Sequence, residues 1–217
     1  MSRADESIST PTRRTLLAAC CAFACLAAGG AVAAEANEAA GLMAEIRKTF
    51  TLRGKPIPPE IFRDFGDGNL AESRSIWTSV DLDAAVGSNP YFDEIGRSGA
   101  WVVQGRAARN GNDAERTAYR YIGATKSGLL VAIATFNGGG TGVFTTLHIL
   151  DLAPARAFDE DGEVYTRLSL TNLRSMSLGD RWGGEAVIAG DDIHVNTTRD
   201  GPTGGARPLR IIKARRP

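Results

Sequence analysis

Apolar residues near the start of the chain repeat at the spacing of a helix. Over residues 36–50 they recur every three or four positions, which places them on one helical face. Asn37 suits the N-cap position, because its side chain can accept a hydrogen bond from the first turn. Gly54 and the prolines of residues 56–59 predict that the helix ends before them.

The next segment has little regular pattern. A second, short helix is predicted to begin at Pro59 and to end near Gly66. Residues 66–100 are predicted to be irregular, except for one strand over residues 76–82, where apolar positions alternate. Residues 35–100 are therefore expected to form a helical arm and an irregular lead-in.

From Trp101 onward the pattern changes to a period of two, which is typical of strands. Predicted strands cover residues 101–103, 118–122, 129–136, 143–152, 164–173, 186–189, 193–198 and 209–212. The connections are too short for a crossover helix, so the strands are expected to be antiparallel. The predicted fold class is mainly β: an antiparallel β-sandwich or barrel-like sheet with an N-terminal helical arm. Residues 101–217 form the β-rich region, and residues 35–217 are expected to be a single domain.

Two local signals refine this predicted sheet. Gly190 and Asp191 stand between two short apolar runs, which predicts a two-residue turn of type II′ with a positive φ at the glycine. In the strand over residues 143–152, apolar side chains occur on both faces, with Ile149 on one and Leu150 on the other. Both faces of the sheet are therefore expected to be at least partly covered.

The chain begins with the pattern of an export signal. Arg13 and Arg14 are followed by an apolar run over residues 15–28 and then by small residues. This order of segments is typical of a signal peptide that is removed. The apolar run is shorter than the roughly 20 residues that a membrane-spanning helix needs. Residues 1–34 are therefore predicted to be a cleaved signal peptide of a bacterial protein that is periplasmic or secreted, with no transmembrane span.

Three forms of export remain open for this signal. The paired arginines resemble a twin-arginine signal, but the basic residue that usually follows the second hydrophobic position is absent, which favours the ordinary Sec route. Residues 17–20 resemble the lipobox of bacterial lipoproteins, in which Cys20 would carry a lipid. The stretch between Arg14 and Cys20 is short for an apolar segment, so a lipoprotein is the least favoured form.

The composition argues against several kinds of site and partner. The cysteines are Cys20, Cys21 and Cys25, all within the predicted signal, so the processed chain is expected to lack disulfides, thiol nucleophiles and thiolate metal sites. With 25 basic and 25 acidic residues, the chain has no net charge to attract nucleic acid. Basic residues do cluster near the C-terminus: Arg207, Arg210, Lys213, Arg215 and Arg216. A solvated strand and tail is the favoured interpretation, and a weak contact with an anionic surface is the alternative.

The glycine-rich tract over residues 137–142 is the feature most similar to a binding site. Phosphate loops lead from a strand to the N-terminus of a helix and end in Lys followed by Ser or Thr. Here the tract lies between two predicted strands, which predicts a hairpin loop instead.

The acidic clusters over residues 64–69 and 159–162 lack oxygen ligands at the first and last positions of an EF-hand loop. Solvated turns are predicted there, with a calcium site of another type as the alternative.

The histidines and tyrosines offer weaker candidates. His148 and His194 are too few for a catalytic zinc site unless both combine with a carboxylate. Asp192 and His194 share a strand face, and a structural pair is favoured over a catalytic one. Tyr119 and Tyr121 also share a face and are interpreted as core, with a sugar-binding surface as the alternative. The chain has no G-x-S-x-G nucleophile motif.

These observations favour a non-catalytic exported protein that binds a partner protein or an envelope ligand. Catalytic residues, metal ligands and a cofactor site are not predicted, and nucleic acid is not expected as a partner. A periplasmic hydrolase that uses the carboxylate of Asp192 and the imidazole of His194 is the first alternative. A structural component of envelope assembly is the second.

Overall fold

The chain folds mainly into antiparallel β-sheet. A computed structural model describes residues 37–65, 78–87, 94–105, 115–196 and 209–216. From Gly41 onward these residues belong to one compact unit. Among them, no helix is both long and apolar enough to cross a membrane. The predicted signal peptide with its three cysteines, most of the acidic cluster over residues 64–69, and Arg207 lie outside the described residues.

The elements assemble into one large sheet and two small ones. In chain order they are α1 (residues 37–49), β1 (Thr51–Leu52), β2 (Lys55–Pro56), α2 (Ile61–Asp64), β3 (Ser79–Asp81), α3 (Leu82–Gly87), β4 (Ile95–Ser98), β5 (Trp101–Gly105), β6 (Glu115–Ala124), β7 (Leu130–Gly138), β8 (Phe144–Phe158), β9 (Val164–Asp180), β10 (Glu185–Ala189), β11 (Asp192–Asn196) and β12 (Arg210–Lys213). The central sheet has the strand order β3-β9-β8-β7-β6-β5-β4, and every neighbouring pair in it is antiparallel. Strands β10, β11 and β12 form a three-stranded sheet, and β1 pairs with β2.

A tight hairpin joins β1 to β2. Its turn residues, Arg53 and Gly54, have φ angles of 51° and 75°, and two consecutive positive values are typical of a type I′ turn. The carboxylate of Glu45 in α1 accepts hydrogen bonds from the backbone N–H of Gly54 (2.8 Å), from Thr51 Oγ1 (2.9 Å) and from the backbone N–H of Arg53 (3.2 Å). These hydrogen bonds, that of Gly54 above all, hold the pKa of Glu45 below its usual range.

One face of the central sheet packs against the three-stranded sheet. The buried core between them consists of Leu129, Val131, Ile133, Leu147, Ile149, Ile193, Val195, Ile212 and Ala214. Strands β7 and β8 supply alternate residues to this core, as expected from the alternation of side chains along a strand. The burial of this apolar surface stabilises the fold by about 25 cal/mol for each Å² removed from water.

The opposite face of the central sheet is covered by residues 41–65, which we call the arm. Phe50 and Phe62 of the arm are buried, and their rings lie 5.2 and 5.3 Å from the ring of Tyr119. Opposite Tyr119 on β7 stands Ala134, whose short side chain leaves room for the aromatic rings. Leu150 on this face and Ile149 on the other are both buried, so the prediction that both faces are covered is confirmed.

The period-two pattern predicts the strands of the C-terminal region correctly. Each of the eight strands predicted from Trp101 onward corresponds to one strand of the series β5 to β12. Ala189 pairs with Asp192 across a two-residue turn in which Gly190 has a φ of 68°, which confirms the predicted hairpin. The predicted helices correspond to α1 and α2. The mainly β fold with antiparallel sheets and an N-terminal helix is therefore confirmed.

The prediction for the lead-in was wrong in three respects. Strand β3 covers only Ser79–Asp81, and Leu82 begins helix α3 instead of continuing the strand. Asp81 Oδ1 accepts hydrogen bonds from the backbone N–H groups of Asp83 (3.0 Å) and Ala84 (3.2 Å), and this N-cap starts the helix. The pattern also fails to predict β4 and the hairpin of β1 with β2, because strands of two to four residues are too short to show a period.

Candidate functional site

Strands β8 and β9 continue past the central sheet as a two-stranded ribbon. Strand β7 pairs with β8 only as far as Leu150, and β3 pairs with β9 only as far as Ser169. Beyond these points the pairing of β8 with β9 runs on to Phe158, which stands opposite Val164. In the part of the chain that the structure describes, no third strand flanks residues 154–168, and we call this segment the ribbon.

The end of the ribbon is apolar and exposed. Phe158 is 72% exposed, and Val164, its partner across the two strands, is 48% exposed. Tyr165 follows Val164 in the strand and so points to the opposite face of the ribbon. There its hydroxyl donates a hydrogen bond to Asp81 Oδ2 (3.3 Å), which ties that face to the start of α3. Phe158 and Val164 therefore lie on the face that points away from this attachment.

The turn at the end of the ribbon is held by its own hydrogen bonds. Asp159 Oδ1 accepts hydrogen bonds from the backbone N–H groups of Glu163 (2.8 Å) and Asp161 (3.1 Å). The backbone N–H of Asp159 donates to the carbonyl of Glu163 (3.0 Å), and Gly162 has a φ of 82°, where glycine is favoured. The predicted turn is confirmed, and the side chains of Glu160, Asp161 and Glu163 are exposed around Phe158.

His148 lies in a closed environment on the arm face of β8. It is 2% exposed, and its ring lies 5.0 Å from that of Phe62 and 6.1 Å from that of Phe65. Ser175 Oγ is 3.0 Å from Nδ1 of the imidazole, and Asn172 Nδ2 donates a hydrogen bond to Ser175 Oγ (2.8 Å). Burial lowers the pKa of His148 to about 4, against a smaller opposing effect of the Asn172 side chain, so the imidazole is neutral at pH 7.

The distance between Ser175 and His148 matches that of a nucleophile and its base, but the surroundings do not match a reaction site. A general base must reach the proton of a bound substrate. Here the imidazole is enclosed by the sheet, Phe62 and Phe65. The pair therefore acts as a hydrogen-bonded link between β8 and β9, and the imidazole contacts the arm through the rings of Phe62 and Phe65.

The predicted pair of Asp192 and His194 shares a strand face, but the carboxylate has another partner. Both side chains lie on the outer face of the three-stranded sheet, as predicted. The carboxylate of Asp192, however, accepts hydrogen bonds from Lys213 Nζ at 2.8 Å from each of its oxygens. The residues directly opposite His194 are Val187 and Ile211, both more than half exposed. The Asp192 carboxylate is thus engaged by a lysine ammonium, and the imidazole lies between aliphatic side chains.

The other sequence candidates also occupy structural positions. The glycine-rich tract begins with the last two residues of β7 and continues as the loop to β8. Asn137 Oδ1 accepts a hydrogen bond from the backbone N–H of Gly139 (2.9 Å), and the predicted hairpin loop is confirmed. Tyr119 is buried, and Tyr121 stacks on Phe50 with ring centroids 4.9 Å apart. The tyrosines thus belong to the core beneath the arm, as predicted.

Part of the basic cluster near the C-terminus is paired with carboxylates. The guanidinium of Arg216 donates to both oxygens of Asp151 (2.9 and 3.1 Å), and Lys213 binds Asp192. Between them Ala214 is buried, and its backbone N–H donates to the carbonyl of Asp191 (2.9 Å). This segment is therefore docked on the fold. Across the described ranges, no three histidine or acidic side chains lie close enough together to hold a metal ion.

The sequence pattern predicted the turn and the second strand of the ribbon but missed its first strand. The predicted strand ends at Leu152, because Ala153, Pro154 and Ala155 interrupt the alternation of large apolar and polar residues. Proline is compatible with a strand that has a free edge, since no neighbouring strand then needs its N–H.

In comparisons with protein-family models, curated proteins and solved structures, no significant match to this chain was found.

Proposed function

We propose that this chain is an exported, non-catalytic binding protein that contacts a partner protein through the end of the ribbon. The observation that carries the proposal is the 72% exposure of Phe158 on a projecting, hydrogen-bonded hairpin. Aromatic side chains that enter a pocket of the partner supply much of the binding free energy of protein interfaces. Phe158 is the anchor residue of this proposal, and Val164 extends its apolar surface.

The fixed shape of the turn supports a role in binding. Asp159 holds the turn through two hydrogen bonds from the backbone, so Phe158 starts from a defined position. A binding loop that is already ordered loses less conformational entropy when it meets its partner. Attachment of the opposite face through Tyr165 and Asp81 restricts movement of the ribbon close to its tip.

The charges around Phe158 define the chemistry of the partner. Glu160, Asp161 and Glu163 are exposed in the turn after Phe158, where they outnumber Arg156, the exposed basic residue on the same face of the ribbon as Phe158. Complementary charge speeds association and disfavours wrong partners. The partner is accordingly a protein with an apolar pocket that is bordered by lysine or arginine side chains. The signal pattern of residues 1–34 supports an encounter in the periplasm or outside the cell.

A site-specific cross-linking experiment tests this proposal. A photoreactive phenylalanine analogue replaces Phe158 in protein made in its own cells, and irradiation is followed by identification of the adduct. Phe144 is the matched control, because it is 61% exposed and lies at the other end of the same strand. The expected result is one protein adduct at position 158 that is absent at position 144.

The charge requirement gives a second readout of the same experiment. Replacement of Glu160 and Asp161 by glutamine and asparagine is expected to reduce the yield of the adduct at position 158, because the acidic surroundings are lost. Equal adducts at positions 158 and 144, an adduct that does not depend on the acidic residues, or no adduct at position 158 would each contradict the proposal.

A further inference from the structure

A groove separates the end of β6 from β10. It has a volume of about 560 Å³ and is lined by three consecutive residues of each strand, from Ile122 to Ala124 and from Ala186 to Ile188. Because consecutive residues line both walls, backbone groups as well as side chains face the groove. The residues that line the groove are not part of the ribbon over residues 154–168.

Both walls of the groove are strand edges. Strand β5 pairs with β6 only as far as Tyr119, so among the described residues the segment 122–124 has a partner strand on the β7 side alone. Strand β10 pairs with β11 on one side, and within the described residues no strand pairs with its other side. Unpaired strand edges present N–H and C=O groups that an extended peptide can pair with.

A β-bulge shapes the floor of the groove. The register of β6 against β7 shifts between Tyr121 and Gly123, so Ile122 has no partner residue in β7. Gly123 has a φ of 146°, where glycine is favoured, and a methyl group placed there would lie 3.4 Å from Cδ1 of Ile188. Bulges of this kind end regular pairing and are common beside binding sites.

One end of the groove is closed, and there the ammonium group of Lys126 lies near the carboxylate of Asp191. The turn after β6 is joined to the turn after β10, because the backbone N–H of Lys126 donates to the carbonyl of Gly190 (2.9 Å). The backbone N–H of Ser127 also donates to Asp191 Oδ1 (2.7 Å), and the hydrogen bonds of Ser127 together with the charge of Lys126 hold the pKa of Asp191 below its usual range. Lys126 is the charged residue of the groove lining, and among the described residues its ammonium group forms no ion pair.

We propose that this groove binds the C-terminal end of an extended peptide, which pairs with the free edge of β10 and places its terminal carboxylate at Lys126. The closed end requires the peptide to stop there, and the ammonium group of Lys126 complements the charge of a chain terminus. Ile122 and Ile188 provide the apolar contacts for the side chains of the peptide. This site does not depend on the ribbon or on its partner.

Amide chemical shifts of the isotopically labelled protein test the proposal. The probe is a pool of random hexapeptides with acetylated N-termini and free C-terminal carboxylates, added at millimolar concentration. The expected result is a set of shifts confined to the groove walls and the two turns that close it. A matched pool with amidated C-termini is expected to bind about fivefold more weakly, because one exposed ion pair contributes about that factor to an affinity. A pool with N-methyl groups at every residue is expected to cause no shifts in the groove, because neither edge of the peptide can then donate hydrogen bonds to β10.

Two lysine variants give the control within the protein. Lys126→Gln is expected to reduce the affinity for the free-acid pool to that for the amidated pool, and to leave the affinity for the amidated pool unchanged. Lys48→Gln removes an exposed charge from α1 and is expected to change neither. Shifts that spare the groove, equal binding of the N-methylated pool, or no shifts with the free-acid pool would each overturn the proposal.

Discussion

Ser175 Oγ lies 3.0 Å from Nδ1 of His148 on the neighbouring strand, and the imidazole is enclosed by the rings of Phe62 and Phe65. Asn172 Nδ2 donates to the same hydroxyl, so the proton of Ser175 is available for Nδ1. The hydroxyl of Ser175 can therefore donate to Nδ1 of the neutral imidazole. The polar group is thereby accommodated in a core that would disfavour an imidazolium ion.

The first prediction concerns the effect of pH on this buried imidazole. The pKa of His148 is about 4 in the folded protein, whereas an unfolded histidine titrates near 6.5. Between these values the unfolded state binds more protons, so the free energy of unfolding falls as the pH is lowered from 6.5 towards 4. From pH 7 to pH 5 the expected loss from this residue is about 2 kcal/mol, measured by urea unfolding.

His148→Gln is expected to remove this part of the pH dependence. His194→Gln is the matched control, since His194 lies on the outer face of the three-stranded sheet and outside this core, and it is expected to retain the loss of the parent protein. If the His148 variant and the parent protein lost stability equally between pH 7 and pH 5, the buried neutral imidazole would be disproved.

The second prediction concerns the carboxylate that fixes the turn between β1 and β2. Glu45→Gln keeps one acceptor oxygen but loses the charge-assisted hydrogen bonds from the backbone of Gly54 and Arg53. We expect the free energy of unfolding at pH 7 to fall by about 1 kcal/mol. The pKa of Glu45 is lowered by folding, so this stabilisation is present above the unfolded pKa and is lost as the pH falls through the folded one.

Urea unfolding at pH 7 and at pH 3 checks this prediction. The difference between the Glu45 variant and the parent protein is expected to shrink at the lower pH, where the parent carboxylate becomes protonated. Glu160→Gln, in the exposed turn of the ribbon, serves as the control and is expected to leave the unfolding midpoint unchanged at pH 7. A difference of the same size at both pH values would show that charge has no part in holding the turn.

The third prediction concerns a close approach of two backbone segments at Gly184. A methyl group at this position would lie 1.9 Å from the carbonyl oxygen of Asn196 and 2.8 Å from the indole ring of Trp182. Gly184→Ala is therefore expected to lower the free energy of unfolding by about 3 kcal/mol, because the end of the three-stranded sheet must shift. Gly140→Ala is the control, since nothing lies within 4 Å of the added methyl group there. Thermal unfolding of the two variants is the measurement, and equal midpoints would contradict the close approach.

The sequence predicts the fold well where its pattern is long and the prediction depends only on local alternation. Strands β7 and β8 are examples, because long runs of apolar and β-branched residues around Ile133 and Leu147 are bounded by turn residues. The pattern fails at β4, where Ile95 is followed by Gly, Arg and Ser and gains its place only by pairing with β5. Such a short edge strand is defined by its neighbour and not by its own residues.

The candidate sites are harder to predict from the sequence than the strands, because they depend on tertiary packing. Phe158 and the core residue Phe62 are both phenylalanines near polar residues, and only the packing shows that one is exposed and the other buried. The groove depends on how β10 packs against the end of β6, a contact between segments far apart in the chain. Lys126 is an ordinary turn residue in the sequence, and its position at the closed end follows from the hydrogen bond to Gly190.

The fourth prediction compares these two phenylalanines. Phe158→Ala removes a side chain from solvent and is expected to change the free energy of unfolding by no more than about 0.5 kcal/mol. Phe62→Ala removes the ring that contacts Tyr119 and His148, and is expected to lower it by about 4 kcal/mol. Urea unfolding at pH 7 measures both. A large loss at position 158 would mean that this ring contributes to the fold and is not held free for a partner.

The last prediction separates the shape of the ribbon tip from its contacts. Asp159→Ala leaves Phe158 in place but removes the oxygen that accepts the backbone N–H groups of Asp161 and Glu163. We expect the hydrogen exchange of these two amides to accelerate about tenfold, because the turn opens more often. Asp161→Ala is the control: it also removes one carboxylate, but its side chain accepts none of the hydrogen bonds that hold the turn. If preorganisation contributes to binding, the cross-link at position 158 weakens in the Asp159 variant more than in the Asp161 variant. Unchanged exchange in the Asp159 variant would instead show that the backbone pairing of Asp159 with Glu163 is sufficient to fix the tip.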